Sequence, residues 1–272
     1  MSDAFRDASG RAIRSLAGLH ELPAAERLAA YRRLLPDDLF TRFGIDPARP
    51  VDGAGRELFT AKASPGVGSA EIEFRHQADA RDPVVYVHLA DTPNNQIIVL
   101  LYVVNDPDSP RFDVDRDWRG QRTKFGTLTR NVEAELAGMQ AGLAPGQVRR
   151  GLRLSRTLLG HFEAFIQQLG HEMFFLEPLA YHTAILFERY GCAYSQGRKK
   201  MAWMHQAFQP GGELHARLDG SSLFRMPGAH QSVRGRSWAI QDGILGEPFT
   251  DIHMHKRVGQ DAGVDTFPDA VW

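Results

Sequence analysis

The residues of this chain with chemical potential gather at a few places. Four arginines, Arg149, Arg150, Arg153 and Arg156, surround Gly151, just before a long amphipathic run that stops at Gly170. A helix starting there exposes unpaired N–H groups and a partial positive charge, which suits a phosphate or pyrophosphate, and arginine forks strengthen such a site. Glu71, Glu73 and His88 are titratable groups in alternating segments.

Several other constellations carry weaker chemistry. His253 and His255 flank Met254, so a strand would point both imidazoles the same way, and with His215 or His230 they could ligate a transition metal. His161, Glu163, His171 and Glu172 contain metal-binding types, but His161 and Glu163 point to different sides of a helix and His171 follows the Gly170 stop. Asp113 to Asp117 begins like a calcium loop, yet Trp118 stands where glycine is needed and Lys124 where glutamate is needed. Arg198, Lys199 and Lys200 form a second basic cluster. Cys192 follows a helix end with no base beside it in sequence and reads as a structural thiol.

Hydrophobic periodicity supplies the elements that would hold these groups. Residues 1–45 read as helical, most clearly Pro23 to Leu35, closed by Pro36. Ile45 to Gly68, rich in proline and glycine, reads as a loop. Ala70 to Phe74 alternates like a half-buried strand, Val84 to Leu89 is rich in strand formers, and Ile97 to Val104 is the apolar run of a central strand. Asn105 to Arg130 is a long polar loop, and Val132 to Met139 a short helix. After the Gly151 turn come the long helix, a buried strand Met173 to Leu176, and a helix ending at Gly191. Tyr194 opens a further strand and Lys199 to Phe208 a short helix. From Glu213 onward, Leu214 to Leu218, Ser237 to Ile240 and Ile252 to Val258 read as short β pieces between turns. The aromatic tail Phe267 to Trp272 is expected to pack on the body or on a neighbouring subunit.

Three strands, a helix, a buried strand, a helix and a strand, in that order, resemble the GNAT superfamily of N-acetyltransferases. The window from Arg150 to Cys192 is similar to that family's core motif. Arg150-Gly151-Leu152-Arg153-Leu154-Ser155 sits where the family has its Arg/Gln-x-x-Gly-x-Gly/Ala turn. Phe187-Glu188-Arg189-Tyr190-Gly191-Cys192 sits where the family has a phrase like Tyr-Glu-Lys-Leu-Gly-Phe. The resemblance implies that the backbone of Arg149, Arg150, Gly151, Leu152, Arg153, Leu154 and Ser155 holds the pyrophosphate of acetyl-CoA or another acyl-CoA. It implies a thioester lying beside the edge of the Ile97–Val104 strand. The chain departs from the pattern in three ways: Arg153 and Ser155 replace small residues, Phe187 replaces the tyrosine acid, and about 45 residues separate the central strand from the turn. Trp118 to Thr123 forms a rival turn without a following helix.

Composition narrows the partners. Over 272 residues the formal net charge is −1, with 43% hydrophobic and 24% charged residues; this balance gives no basis for nucleic-acid or membrane capture. One cysteine permits no internal disulfide and fits a reducing cytoplasm. The expected fold class is α/β of the α+β kind: a mixed, mainly antiparallel sheet with flanking helices and a β-rich C-terminal extension. The expected organisation is a helical segment and linker (1–68), an α/β core (69–196) and an extension (197–272) that packs on the core or forms a homodimer. The leading expectation is an acyl-CoA-dependent N-acyltransferase acting on a small-molecule or peptide amine, with Glu73, His88 and Tyr190 as candidate catalytic groups and no metal. The alternatives are a non-catalytic or divergent protein on that scaffold, with the C-terminal histidines as a metal site, or a structural, oligomer-forming protein.

Overall fold

The computed structural model describes residues 4–117, 119–123 and 130–272. It is an α+β protein with an open, mostly antiparallel seven-stranded sheet. The strands are β1 (Phe59–Ala63), β2 (Ser69–Phe74), β3 (Val85–Asp91), β4 (Ile97–Val104), β5 (Met173–Leu176), β6 (Ala193–Gln196) and β7 (His253–Arg257). Their order is β1-β2-β3-β4-β5-β7-β6. β4 and β5 run parallel, while β1 to β4 form an antiparallel meander and β6 pairs antiparallel with β7.

The chain forms two compact units, each drawn from three separate segments. The first comprises 1–108, 151–177 and 256–260; the second comprises 109–150, 178–255 and 261–272.

The first unit holds β1 to β5 with α1 (Leu16–His20), α2 (Ala24–Arg32), α3 (Asp37–Thr41) and α5 (Ser155–Gln168). Local signals set its helix starts. Ser15 Oγ caps Gly18 N–H, and the Asp91 carboxylate, reaching from the end of β3, accepts from the N–H groups of Leu16 and Ala17. One sheet face carries Ile72, Phe74, Val85, Val87, Leu89, Ile97 and Val99, all buried. Aromatic contacts complete that core: Phe40 meets Phe59 and Phe74, and Tyr31 stacks on Phe165 of α5. Lys256, buried beside Glu163 at 3.3 Å, fastens the end of β7 to α5.

The second unit holds α4 (Val132–Gln140), α6 (Tyr181–Arg189), α7 (Arg198–Ala207), α8 (Glu213–Ala216), a 3-10 turn at Pro227–Gln231 and α9 (Val233–Gln241). Its centre is Trp238, whose Nε1–H donates to the Leu143 carbonyl and whose ring stacks on Phe224. The C-terminal segment is strapped down within this unit. Thr266 bonds to Glu188, Arg189 donates to the Ala270 carbonyl, and Arg236 stacks on Phe267 at 3.6 Å. The Arg189 guanidinium also lies over the Trp272 ring.

Two expectations fail at the level of elements. The region after Glu213 is mainly helical rather than β-rich: Leu214 lies in α8 and Ser237 to Ile240 lie in α9. Trp238 and Ile240 mimic strand alternation, but the buried set Val233, Arg236, Ser237 and Ile240 follows helical spacing, and Ser232 caps the helix at Gly235 N–H. Conversely, β1 arises in a stretch read as loop, because its N–H and C=O groups find a partner strand in β2. Of the sequence features above, Trp118 and Lys124 lie outside the described residues, and with them the start of the rival turn and two positions of the calcium-loop pattern.

Candidate active site

Three features of the first unit meet at the end of β4. The first is a bulge. His88 pairs with Leu101, but Leu89 pairs with Val99, so Leu100 is an extra residue on β4. The second is a short parallel pairing. β5 engages β4 only at Ile98↔Phe175 and Val99↔Leu176, so the β5 side of β4 is left open by that strand from the bulge to Val104. The third is the turn that enters α5. A β-carbon on Gly151 would stand 3.2 Å from the Val104 carbonyl oxygen, so the backbone of the turn lies directly against the end of β4.

The turn itself is shaped for an anion. Arg153 takes a left-handed φ of 60°, and Leu154 follows with φ −97° and ψ 5°. A left-handed residue followed by one bordering the right-handed region has the alternation by which successive N–H groups can converge into an anion-binding concavity. That concavity runs straight into the N-terminus of α5, which has no side-chain cap and no acidic residue in its first turn. The side chains of Arg153 and Arg156 are exposed, whereas Leu152 is buried and anchors the turn. Arg149 and Arg150 belong to the second unit. Arg149 donates to the Ser109 carbonyl, Arg150 N–H to Ser109 Oγ, and the Arg150 guanidinium to the Ala141 carbonyl. These two arginines therefore stabilise loop backbone.

The second sheet face of this unit is polar and partly open. Strand pairing sets its side chains in transverse ranks. One rank runs Lys62, Glu71, His88, Leu101, and the next runs Thr60, Glu73, Tyr86, Val103. Leu101 is 40% exposed, unusual for an apolar side chain on an inner strand. His88 Nε2 lies 3.0 Å from Ser69 Oγ. Glu73 is held by Arg75, at 2.9 Å, and by Lys62 more loosely, so its charge is already engaged. Glu71 is held more loosely, with the exposed Lys62 at 3.8 Å and the Tyr86 hydroxyl beside it. Burial, followed by the charge of Glu71 and a hydrogen bond to it, pushes the Tyr86 hydroxyl up to about 12. Of the candidate bases, His88 stands next to the bulge and Glu73 one rank away beside Tyr86.

Tyr190 is the C-cap of α6 in the second unit, and Phe187 precedes it on the same helix. Glu188, between them, is buried and accepts from Tyr194 Oη, Thr266 N–H and Thr266 Oγ1. Burial pushes its carboxyl above the usual range. The resembling phrase at the end of α6 thus serves here to anchor the C-terminal strap. Ser69, Tyr86 and Leu101 were missed by the sequence reading. The period-2 alternation of Ser69 to Phe74 already put Ser69 on the face of Glu71 and Glu73, but the bulge at Leu100 has no sequence signal.

His215 and His230 pack edge to face at 4.6 Å, and His253 and His255 share one face of β7. Among the described residues, no group of three or more His, Cys, Asp or Glu is placed to hold a metal ion. No described helix is long and apolar enough to cross a membrane. No protein-family model, curated protein or solved structure matches this chain.

Proposed function

We propose that the protein is a cytoplasmic acyl-CoA-dependent N-acyltransferase on a GNAT-like scaffold, acting on a small-molecule or peptide amine. The observation that carries this reading is the approach of Gly151 to the Val104 carbonyl. It sets the uncapped mouth of α5 against the opened stretch of β4, which is the relationship a thioester cofactor with a pyrophosphate needs. The residues present fit that group: a backbone concavity at Arg153–Leu154, an exposed arginine on either side of Ser155, and a glycine where a side chain would crowd the strand.

Bound acyl-CoA supplies an acyl carbon activated as a thioester, which an amine attacks with loss of the thiolate. The chain must then accept the amine proton, and His88 is the best-placed base: it lies across from Leu101, beside the bulge. Glu71, opposite His88 on β2, stabilises the imidazolium that results. Glu73, neutralised by Arg75, contributes to the arrangement of that face rather than to proton transfer. Tyr190, the acid expected from the sequence, belongs to the second unit and is given no part in this step.

Thermal shift with acetyl-CoA tests the binding step, because a ligand that prefers the native state raises the melting temperature by mass action. Release of free thiol with a panel of amines tests the transfer. No shift at millimolar acetyl-CoA would overturn the reading. A shift without turnover would favour a divergent, non-catalytic binder, a reading to which the apolar Phe187 at the acid's position lends support.

A further inference from the structure

We infer that Ser69 is the positioning residue for His88, fixing its ring so that Nδ1 is the proton-accepting atom. The inference rests on the acyl-transfer reading for its function but not for its geometry. His88 Nε2 and Ser69 Oγ are 3.0 Å apart, and the contact is diagonal, between neighbouring strands on one sheet face. A neutral imidazole has one N–H and one lone pair. If Ser69 donated to Nε2, Nδ1 would carry the ring proton and the basic lone pair would face the serine rather than a substrate. If Nε2–H donates to Ser69 Oγ, the lone pair on Nδ1 is free, and this is also the intrinsically favoured tautomer of a histidine side chain.

The surroundings of the ring support a base held in that form. The groups facing His88 are Glu71 from β2, with Lys62 of β1 beyond it, Tyr86 two residues before it on β3, Glu73 one rank further, and the apolar Leu101 from β4. One carboxylate lies directly opposite the ring, and the nearest cation is already paired to that carboxylate. The imidazolium formed on proton uptake thus has a counter-charge, while Ser69 keeps accepting from Nε2–H in both protonation states. The serine therefore orients the ring without changing partner during proton transfer. The Ser237-to-His182 contact, by comparison, is buried.

The test uses full-length protein labelled with nitrogen-15 at histidine, with His88 assigned by comparison with His88→Gln. In the wild type the His88 signals should report an Nε2–H tautomer at neutral pH. Ser69→Ala should mix the two tautomers and Ser69→Thr should restore the single one. In the transfer assay, Ser69→Ala should lower kcat/KM about 10-fold with KM little changed, while Ser69→Thr recovers most of the rate. A wild-type His88 carrying its proton on Nδ1, or an unchanged tautomer in Ser69→Ala, overturns the inference whatever the activity. Wild-type protein that neither binds acetyl-CoA nor transfers an acyl group overturns the transfer reading and Ser69's role within it. That failure is recognised because it appears before any substitution is made.

Discussion

The α-carbon of Gly151 faces the carbonyl oxygen of Val104 so closely that a β-carbon would stand 3.2 Å from it. The oxygen belongs to a strand fixed by its antiparallel partner β3, so the loop must yield rather than the strand. Gly151→Val is therefore expected to cost about 1–2 kcal/mol as an overpacked contact and to shrink the thermal shift given by acetyl-CoA. Urea unfolding reads the first effect and ligand titration the second. A variant with the wild-type denaturation midpoint and the wild-type ligand response would mean that the turn does not depend on this approach.

Arg153, two residues on, holds a left-handed φ of 60° without being glycine. That conformation costs an L-residue about 1–2 kcal/mol, while glycine brings back about 0.4–1 kcal/mol of unfolded-state entropy. Arg153→Gly should thus range from neutral to about 1.5 kcal/mol more stable, and Arg153→Val should be clearly less stable because β-branching resists this φ. The ranking glycine, arginine, valine in denaturation midpoint is the check. Valine equal to arginine would show that the turn relaxes and that no concavity is maintained.

These two positions illustrate what was legible beforehand. The Gly151 turn, α5, β5 and α6 were readable because each has its own periodicity and a glycine stop. The meander was readable from the alternation in β2 and the apolar run of β4. What sequence could not reveal is where pairing fails: the extra Leu100 is a slip between neighbouring strands with no residue signal, and the end of β4–β5 pairing at Val99 depends on Leu176, far along the chain. The C-terminal helices were misread because α9 buries an arginine. Arg236 is 2% exposed, stacked on Phe267 and donating to the His230 carbonyl and to His205 Nδ1. A charged residue on an inward face breaks the apolar pattern that a helix is recognised by.

His182 gives the protein an acid weakness. It is buried, bonded through Nδ1 to Ser237 Oγ, and burial with the nearby Arg234 charge pulls its pKa down to about 4. The unfolded chain binds this proton near pH 6.5 and the native state does not, so stability falls as pH drops from about 6.5 to 4. The gap corresponds to about 3 kcal/mol. His182→Gln, which keeps a partner for Ser237, should flatten that part of the stability profile. Denaturation midpoints at pH 7 and pH 4.5 supply the comparison, and an equal slope in the two proteins would place the acid sensitivity elsewhere.

Glu188 works in the opposite direction. Its carboxyl is buried among neutral donors, Tyr194 Oη at 2.5 Å, Thr266 Oγ1 at 2.7 Å and Thr266 N–H at 2.9 Å, and burial outweighs them in raising its pKa. A carboxyl whose folded-state pKa lies above its unfolded value stabilises fully below the unfolded value, near 4.3. That contribution is lost as pH rises through the folded value. Glu188→Gln removes the titration, and its amide can turn so that the oxygen accepts from Thr266 N–H while the NH2 donates to Tyr194 and Thr266 Oγ1. The variant should therefore gain on the wild type as pH rises from about 4.5 and level off once the pH passes the folded-state value. Glu188→Ala should lose about 2–3 kcal/mol at pH 4.5, because the buried donors of α6's partners are left without an acceptor, and the deficit should narrow as pH rises because the titration is removed here too. Paired unfolding curves across that range decide it: a constant difference between Glu188→Gln and wild type would mean that the carboxyl ionises in the native strap as readily as in the unfolded chain, and that the strap is not what its burial perturbs.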